Sequence, residues 1–166
     1  MISSDTFREA MSRFAGAVTA ITTKGHHGPA GLIATSVCSL SADPPTLLIC
    51  INRSASAHDA IVQQGLFGVS LPSREQAHVA HRFTSCKGAD RFMADDWTTL
   101  VTGAPILRGA SVAFDCRRVA RYDAYTHTIL VGLIQDVVIE ADQSKDCLIW
   151  YRRTFANVQL VHTAPA

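Results

Sequence analysis

The chain has 166 residues, 48% of them hydrophobic and 17% charged, and fifteen Lys and Arg against fourteen Asp and Glu give a net charge of +1. That composition excludes intrinsic disorder, which needs low hydropathy and high net charge, and it lacks the basic stripe of a nucleic-acid surface. The longest apolar runs, such as Leu47 to Ile51, fall far short of the roughly 20 residues that span a bilayer.

The first element is expected to be a helix. Thr6 stands three residues before Glu9 as in a capping box, with Ser4 and Asp5 as alternative caps. Phe7, Met11 and Phe14 share one face, and Gly16 is a suitable stop. Val18 to Thr23 is rich in β-branched residues and reads as a strand. A turn at Lys24 to Gly28 and a second strand, Leu32 to Cys38, complete a hairpin. Asp43-Pro44-Pro45 breaks the chain, because neither proline can donate to a central ladder. A third strand follows, Thr46 to Ile51.

Ser54 or Ser56 caps a short helix through Ile61 and Val62, ended by Gly65. Leu66 to Leu71 reads as a strand and Ser73 to Arg82 as a helix with Ala77, Ala80 and Phe83 on its apolar side. Thr84 to Pro105 has no clear period and is expected to be irregular. Two long strands end the pattern, Ser111 to Arg121 and His127 to Glu140. In the second, Ile129, Val131 and Leu133 alternate with Thr128, Leu130 and Gly132, which predicts burial on both faces.

Helices inserted among strands, without regular βαβα alternation, point to a mostly β fold, an antiparallel barrel with peripheral helices. The length suits a single domain over residues 1–166. Met1 to Asp5 shows no basic region followed by an apolar one, so no secretory signal is expected. Five scattered cysteines without a C-x-x-C fit reduced thiols in a cytoplasmic protein better than a disulfide framework.

Dinucleotide, P-loop, nucleophile-elbow and zinc-protease signatures are all missing from the sequence. Glu75, His78 and His81 have metal-like spacing, but a di-iron bundle needs that unit twice and zinc needs a further ligand. They read as a solvated helix face, and no metal is expected. His26-His27 reads as a surface turn. Thr35, Ser36, Ser39 and Ser41 place four hydroxyls within seven residues, with Val37 and Cys38 among them. Asn52, Arg53, Ser54 and Ser56 cluster before the expected helix start, where backbone N–H groups and the guanidinium fork suit an anion. By spacing alone, helix capping and strand ends explain these hydroxyls better than an anion site does.

Phe7-Arg8-x-Ala10-Met11-Ser12-Arg13-Phe14, Ala30-Gly31-x-x-Ala34-Thr35-Ser36, Asp43-Pro44-Pro45 and Cys50-x-Asn52-Arg53 resemble the short-chain flavin reductases. So do Asp90-Arg91-Phe92, Gly103-x-Pro105 and Asp115-Cys116 downstream, in the same order, from Phe7 to Phe155. These are the reductase components of two-component flavin monooxygenases, such as those acting on 4-hydroxyphenylacetate or in pyrimidine breakdown.

The resemblance implies a Greek-key split β-barrel, a homodimer with sites near the subunit interface, and NADH- or NADPH-dependent reduction of FMN or FAD. It implies that Thr35, Ser36, Val37, Cys38, Ser39 and Ser41 run along the isoalloxazine and ribityl chain. Asn52, Arg53, Ser54 and Ser56 then lie near the phosphate, and His81, Arg82 and Phe83 form a second flavin-contacting stretch. His127 matches the histidine of a Gly-Asp-His motif associated with the pyridine nucleotide, although Tyr125-Thr126 replaces its Gly-Asp. Tyr151, Arg152, Arg153 and Phe155 match a segment that closes over the cofactors.

Hydride transfer to flavin needs no protein nucleophile, so the residues are expected to orient the cofactors roughly 3–3.5 Å apart and exclude water. The implied partner is a monooxygenase served by diffusing reduced flavin. Two other readings keep the barrel: a flavin-dependent reductase of another acceptor such as a corrinoid, and a non-catalytic flavin- or haem-binding protein.

Overall fold

The structure, a computed structural model, describes residues 1–142 and 146–158. Helix α1 spans Ser4–Met11. Its cap is Ser3, whose Oγ accepts from Thr6 N at 3.1 Å, in place of the expected Thr6, Ser4 or Asp5. None of its residues is buried. Gly16 does not end this helix; it opens a short strand, β1 (Gly16–Ala17), paired with β11 (Ile149–Tyr151).

The main sheet has seven strands. β2 (Thr19–Gly25) pairs with β3 (Gly28–Ala34) as the expected hairpin. The second strand ends at Ala34, however, and does not continue to Cys38. A separate strand, β4 (Val37–Ala42), pairs instead with β5 (Pro45–Asn52). With β6 (Leu66–Leu71), β9 (Val112–Ala124) and β10 (His127–Ile139), the order is β3-β2-β6-β9-β10-β5-β4. Consecutive strands β3 and β4 therefore occupy opposite edges.

Flat, those edges would lie about 29 Å apart at the usual strand spacing. Three Cα steps from Ala34 to Val37 reach at most about 11 Å. The sheet must roll until its edges meet, and Thr35-Ser36 bridges the seam. Ser36 O accepts from Cys50 N at 3.0 Å and Ser36 Oγ donates to Cys50 O at 2.8 Å, fastening the bridge to β5. The barrel core holds Ile21, Ile49, Ile51, Ile61, Phe67 and Leu130.

α2 (His58–Gln64) starts later than expected, with Ala57 at its cap and no side-chain capping bond. Ser54 and Ser56 are thus not helix caps. Gly65 ends the helix at φ 65°, as expected of a left-handed stop. Ser73 and Gln76 form a reciprocal capping box before α3 (Ala77–Ser85), whose Val79, Ala80 and Phe83 are buried. The stretch expected to be irregular holds two 3-10 turns and a small hairpin, β7 (Trp97–Thr99) with β8 (Pro105–Leu107). β10 is not buried on both faces throughout: Thr128, Leu130 and Gly132 are buried, but Gln135 to Ile139 is exposed. The barrel covers only its first half. β12 (Thr154–Ala156) completes the small sheet beside β11. Among the described residues no helix is long and apolar enough to cross a membrane.

Candidate functional site

The 52–56 segment is a tight polar loop between β5 and α2. Asn52 Oδ1 accepts from both Ser54 N and Ser54 Oγ at 2.9 Å, which folds the loop over itself. Arg53 N donates to Thr126 O at 3.0 Å, so the loop abuts the β9–β10 turn. Asn52 pairs across the ladder with His127. The imidazole Nδ1 of His127 lies 2.9 Å from Thr126 Oγ1. Tyr125 opens that turn at φ 51°, a conformation that favours glycine, and its side chain is fully exposed.

Arg53 is not a lone cation. Its Nη2 lies 3.1 Å from Asp123 Oδ1, and Arg121 Nη2 reaches the same oxygen at 3.0 Å. The hydrogen bonds from Arg121 and Arg53 hold the Asp123 carboxyl below its ordinary range. Ser56 Oγ accepts from Arg91 Nη1 at 3.2 Å, and the same nitrogen donates to Gly31 O at 2.8 Å. Arg91 thus ties the polar loop to β3. From Gly31 that strand leads about 13 Å to Thr35.

Thr35 opens on an apolar cavity of about 290 Å³ walled by Val18, Ile33, Ala80, Thr84, Trp150 and Phe155. His81 packs edge-on against Phe155 at 4.9 Å between ring centroids, and Trp150 does so at 5.2 Å. Arg82 Nε is buried without a hydrogen-bond partner, but Arg82 is not among the residues lining this cavity; Ala80 and Thr84 present the facing side of α3. The expected segments therefore converge from three elements: the end of β3, helix α3 and the β11–β12 hairpin.

Other expected residues separate from this group. Phe83 is 4% exposed and belongs to the core, packed with Phe92 at 5.2 Å and Trp97 at 5.8 Å. Helical periodicity turns it inward from His81. Val37, Cys38, Ser39 and Ser41 line a second cavity of about 310 Å³, with Leu47, Phe114 and Ile134. Ser41 Oγ also braces the β4–β5 turn, accepting from Asp43 N at 3.2 Å. Arg152 and Arg153 occupy the β11–β12 turn at φ 49° and 62° and face α1, Arg152 N donating to Ser12 O and Arg153 pairing with Glu9 at 3.4 Å. Arg152 lies over the Tyr151 ring at 5.5 Å.

Sequence reasoning missed Trp150, Arg121, Asp123 and His58, each a solitary residue type with no spacing to signal it. Arg91 lay within a quoted motif, but its role needed the fold. Glu75 and His78 stay on the outer side of the helical segment, His78 Nδ1 lying 3.2 Å from Glu75 O.

Comparison with known proteins bears on this arrangement. The family model of the flavin reductase like domain matches residues 11–159. The chain is 44% identical over 135 residues to FMN reductase (NADH) RutF 2 of Methylorubrum extorquens strain PA1, covering 81% of this chain and 78% of that protein. Nitrilotriacetate monooxygenase component B from Mycobacterium thermoresistibile superimposes with a TM-score of 0.88 at 30% identity, covering 98% of this chain and 90% of that one. BorF, the flavin reductase component of a bacterial two-component tryptophan halogenase, gives 0.85 at 32% identity, covering 94% and 98%.

Proposed function

Because the chain belongs to the flavin reductase like family, we infer that it is an NADH-dependent flavin reductase that uses FMN and supplies reduced flavin to a monooxygenase component. The relatives favour hydride transfer to flavin over a corrinoid acceptor or a non-catalytic flavin- or haem-binding role. One observation carries the site assignment: Arg91 joins the cationic 52–56 loop to the strand that ends at the apolar, aromatic-walled cavity.

The residues fit a planar ring with an anionic tail. The Thr35 end, with Trp150 and Phe155, offers apolar walls and aromatic edges to the ring. Arg53, Ser54, Ser56 and Arg91 supply donors and positive charge to the phosphate. Bound flavin supplies the hydride-accepting chemistry. The chain contributes orientation and dryness: its walls exclude water, and His127, beside Asn52, faces the nicotinamide. Thr126 replaces the family's aspartate there, and its hydroxyl sets the ring nitrogen that remains for contact.

The protein is a single domain and a homodimer in this reading. The apolar end of β10, with Val137, Val138 and Ile139 exposed, offers the surface for a second copy; sedimentation as a monomer would remove it. The described cysteines are all unpaired, in keeping with a cytoplasmic setting.

Titration of FMN by its fluorescence tests the site. Arg53→Ala is expected to weaken binding roughly 10- to 100-fold, the loss of one charge-assisted contact. NADH oxidation should require added FMN. Unchanged affinity would take Arg53 out of the site, and bound flavin without NADH oxidation would defeat the activity.

A further inference from the structure

A polar chain, buried at His58 and Thr128 and half-exposed at its far end, runs from α2 to Arg53. His58 is 7% exposed, and its imidazole lies between two partners. Nδ1 is 2.8 Å from Asp59 Oδ1, and Nε2 is 3.0 Å from Thr128 Oγ1. Thr128 is fully buried on β10, and its hydroxyl donates to Asp123 Oδ1 at 3.2 Å. A hydroxyl carries one proton. With that proton directed to Asp123, the Thr128 oxygen accepts from His58 Nε2–H; the Asp59 carboxylate can only accept, so the two contacts together need a hydrogen on each ring nitrogen.

Asp123 stands directly opposite Thr128 in the β9–β10 ladder. Its Oδ1 is the oxygen that both Arg53 and Arg121 reach. The carboxylate is thus fixed from the core side by the threonine and shared on the solvent side by two guanidinium groups. Two cations around one anion leave a net positive charge beside the 52–56 loop.

We propose that His58 and Thr128 are positioning residues for the flavin phosphate: through Asp123 they hold the Arg53 guanidinium in its binding orientation before the cofactor arrives. This rests on the reading of Arg53 as a phosphate contact. A half-exposed arginine otherwise gives up its rotamer freedom when it binds an anion, and prior fixation removes that cost from the binding step. Asp123 alone would repel a phosphate. Its place in the chain makes sense as an anchor for cations.

Thr128→Val removes the hydroxyl at nearly constant volume and leaves every charge in place. In fluorescence titrations of the full-length protein it is expected to weaken FMN binding roughly five- to tenfold, within the coupling seen inside one hydrogen-bond network. Thr128→Ser is expected to restore wild-type affinity. In an Arg53→Ala background, Thr128→Val should cost nothing further. A purely structural role for Thr128 would weaken both backgrounds alike, and that result, or unchanged affinity in the single variant, overturns the proposal.

Circular dichroism checks that the buried substitution folds. If it does not, Asp123→Asn, half-exposed and outside the core, carries the test. It is expected to weaken FMN binding only when Arg53 is present, and unchanged or tighter binding overturns the proposal. Unchanged affinity in Arg53→Ala alone would overturn the phosphate role and this one with it. A weakened Arg53→Ala beside an unaffected Thr128→Val would overturn this one alone.

Discussion

Cys116 lies at the centre of β9 with no exposed surface, and burial, with the neighbouring Asp115 charge, pushes its thiol up to about 12. In the unfolded chain the thiol ionises near 9.0. Between those values the folded state keeps a proton that the unfolded state loses, so stability falls as pH rises through this window. The slope can reach at most about 1.4 kcal/mol per pH unit. The urea midpoint of the wild type should therefore drop between about pH 8 and about pH 10.5, and Cys116→Ala should flatten that drop whatever it does to the absolute midpoint. Equal slopes would show that another group dominates. Residue identities around the loop were legible in the same way: Asn52, Arg53, Ser54 and Ser56 are the residue types that bind anions. Their partners were not, because Asp123 and Arg91 arrive from 70 and 38 positions away from Arg53 in the chain.

At the scale of elements, β10 crosses the core where Phe67 of β6 needs room. A Cβ at Gly132 would meet Phe67 Cζ at 2.6 Å and Cys116 Cβ at 3.2 Å. The Phe67 ring is fully buried and cannot swing away. Gly132→Ala should therefore cost about 1–3 kcal/mol by overpacking, lowering Tm by several degrees; an unchanged Tm would mean the barrel gives way more easily than its packing suggests. Gly65 and the strand Leu66 to Leu71 fell where the sequence placed them, since a left-handed glycine stop and a short, mainly apolar run behind it are local signals. The hairpin partner of β2 was placed four residues late, Leu32 to Cys38 against Gly28–Ala34, for a complementary reason. Leu32 to Cys38 holds no glycine or proline, so the step from one sheet edge to the other at Thr35-Ser36 leaves no mark in the run of residues.

For the whole molecule, a small second sheet beside the rolled one ties the first and last described segments together. β1 pairs with β11, and Arg152 N donates to Ser12 O, so the first and last described segments close the same side of the barrel. We expect unfolding in urea to be one cooperative transition, coincident by far-ultraviolet circular dichroism and tryptophan fluorescence. Two separated transitions would argue for two domains. By itself the sequence determined the fold class, most strand positions and the family, because periodicity, turn chemistry and collinear motifs are written along the chain. Only the tertiary structure decided that Phe83 turns into the core, that Thr35 and Ser39 look into different cavities, and that Arg53 is held by a relay from His58. Those outcomes depend on how the sheet rolls and which strands become neighbours, and contacts between distant segments form only when the barrel closes.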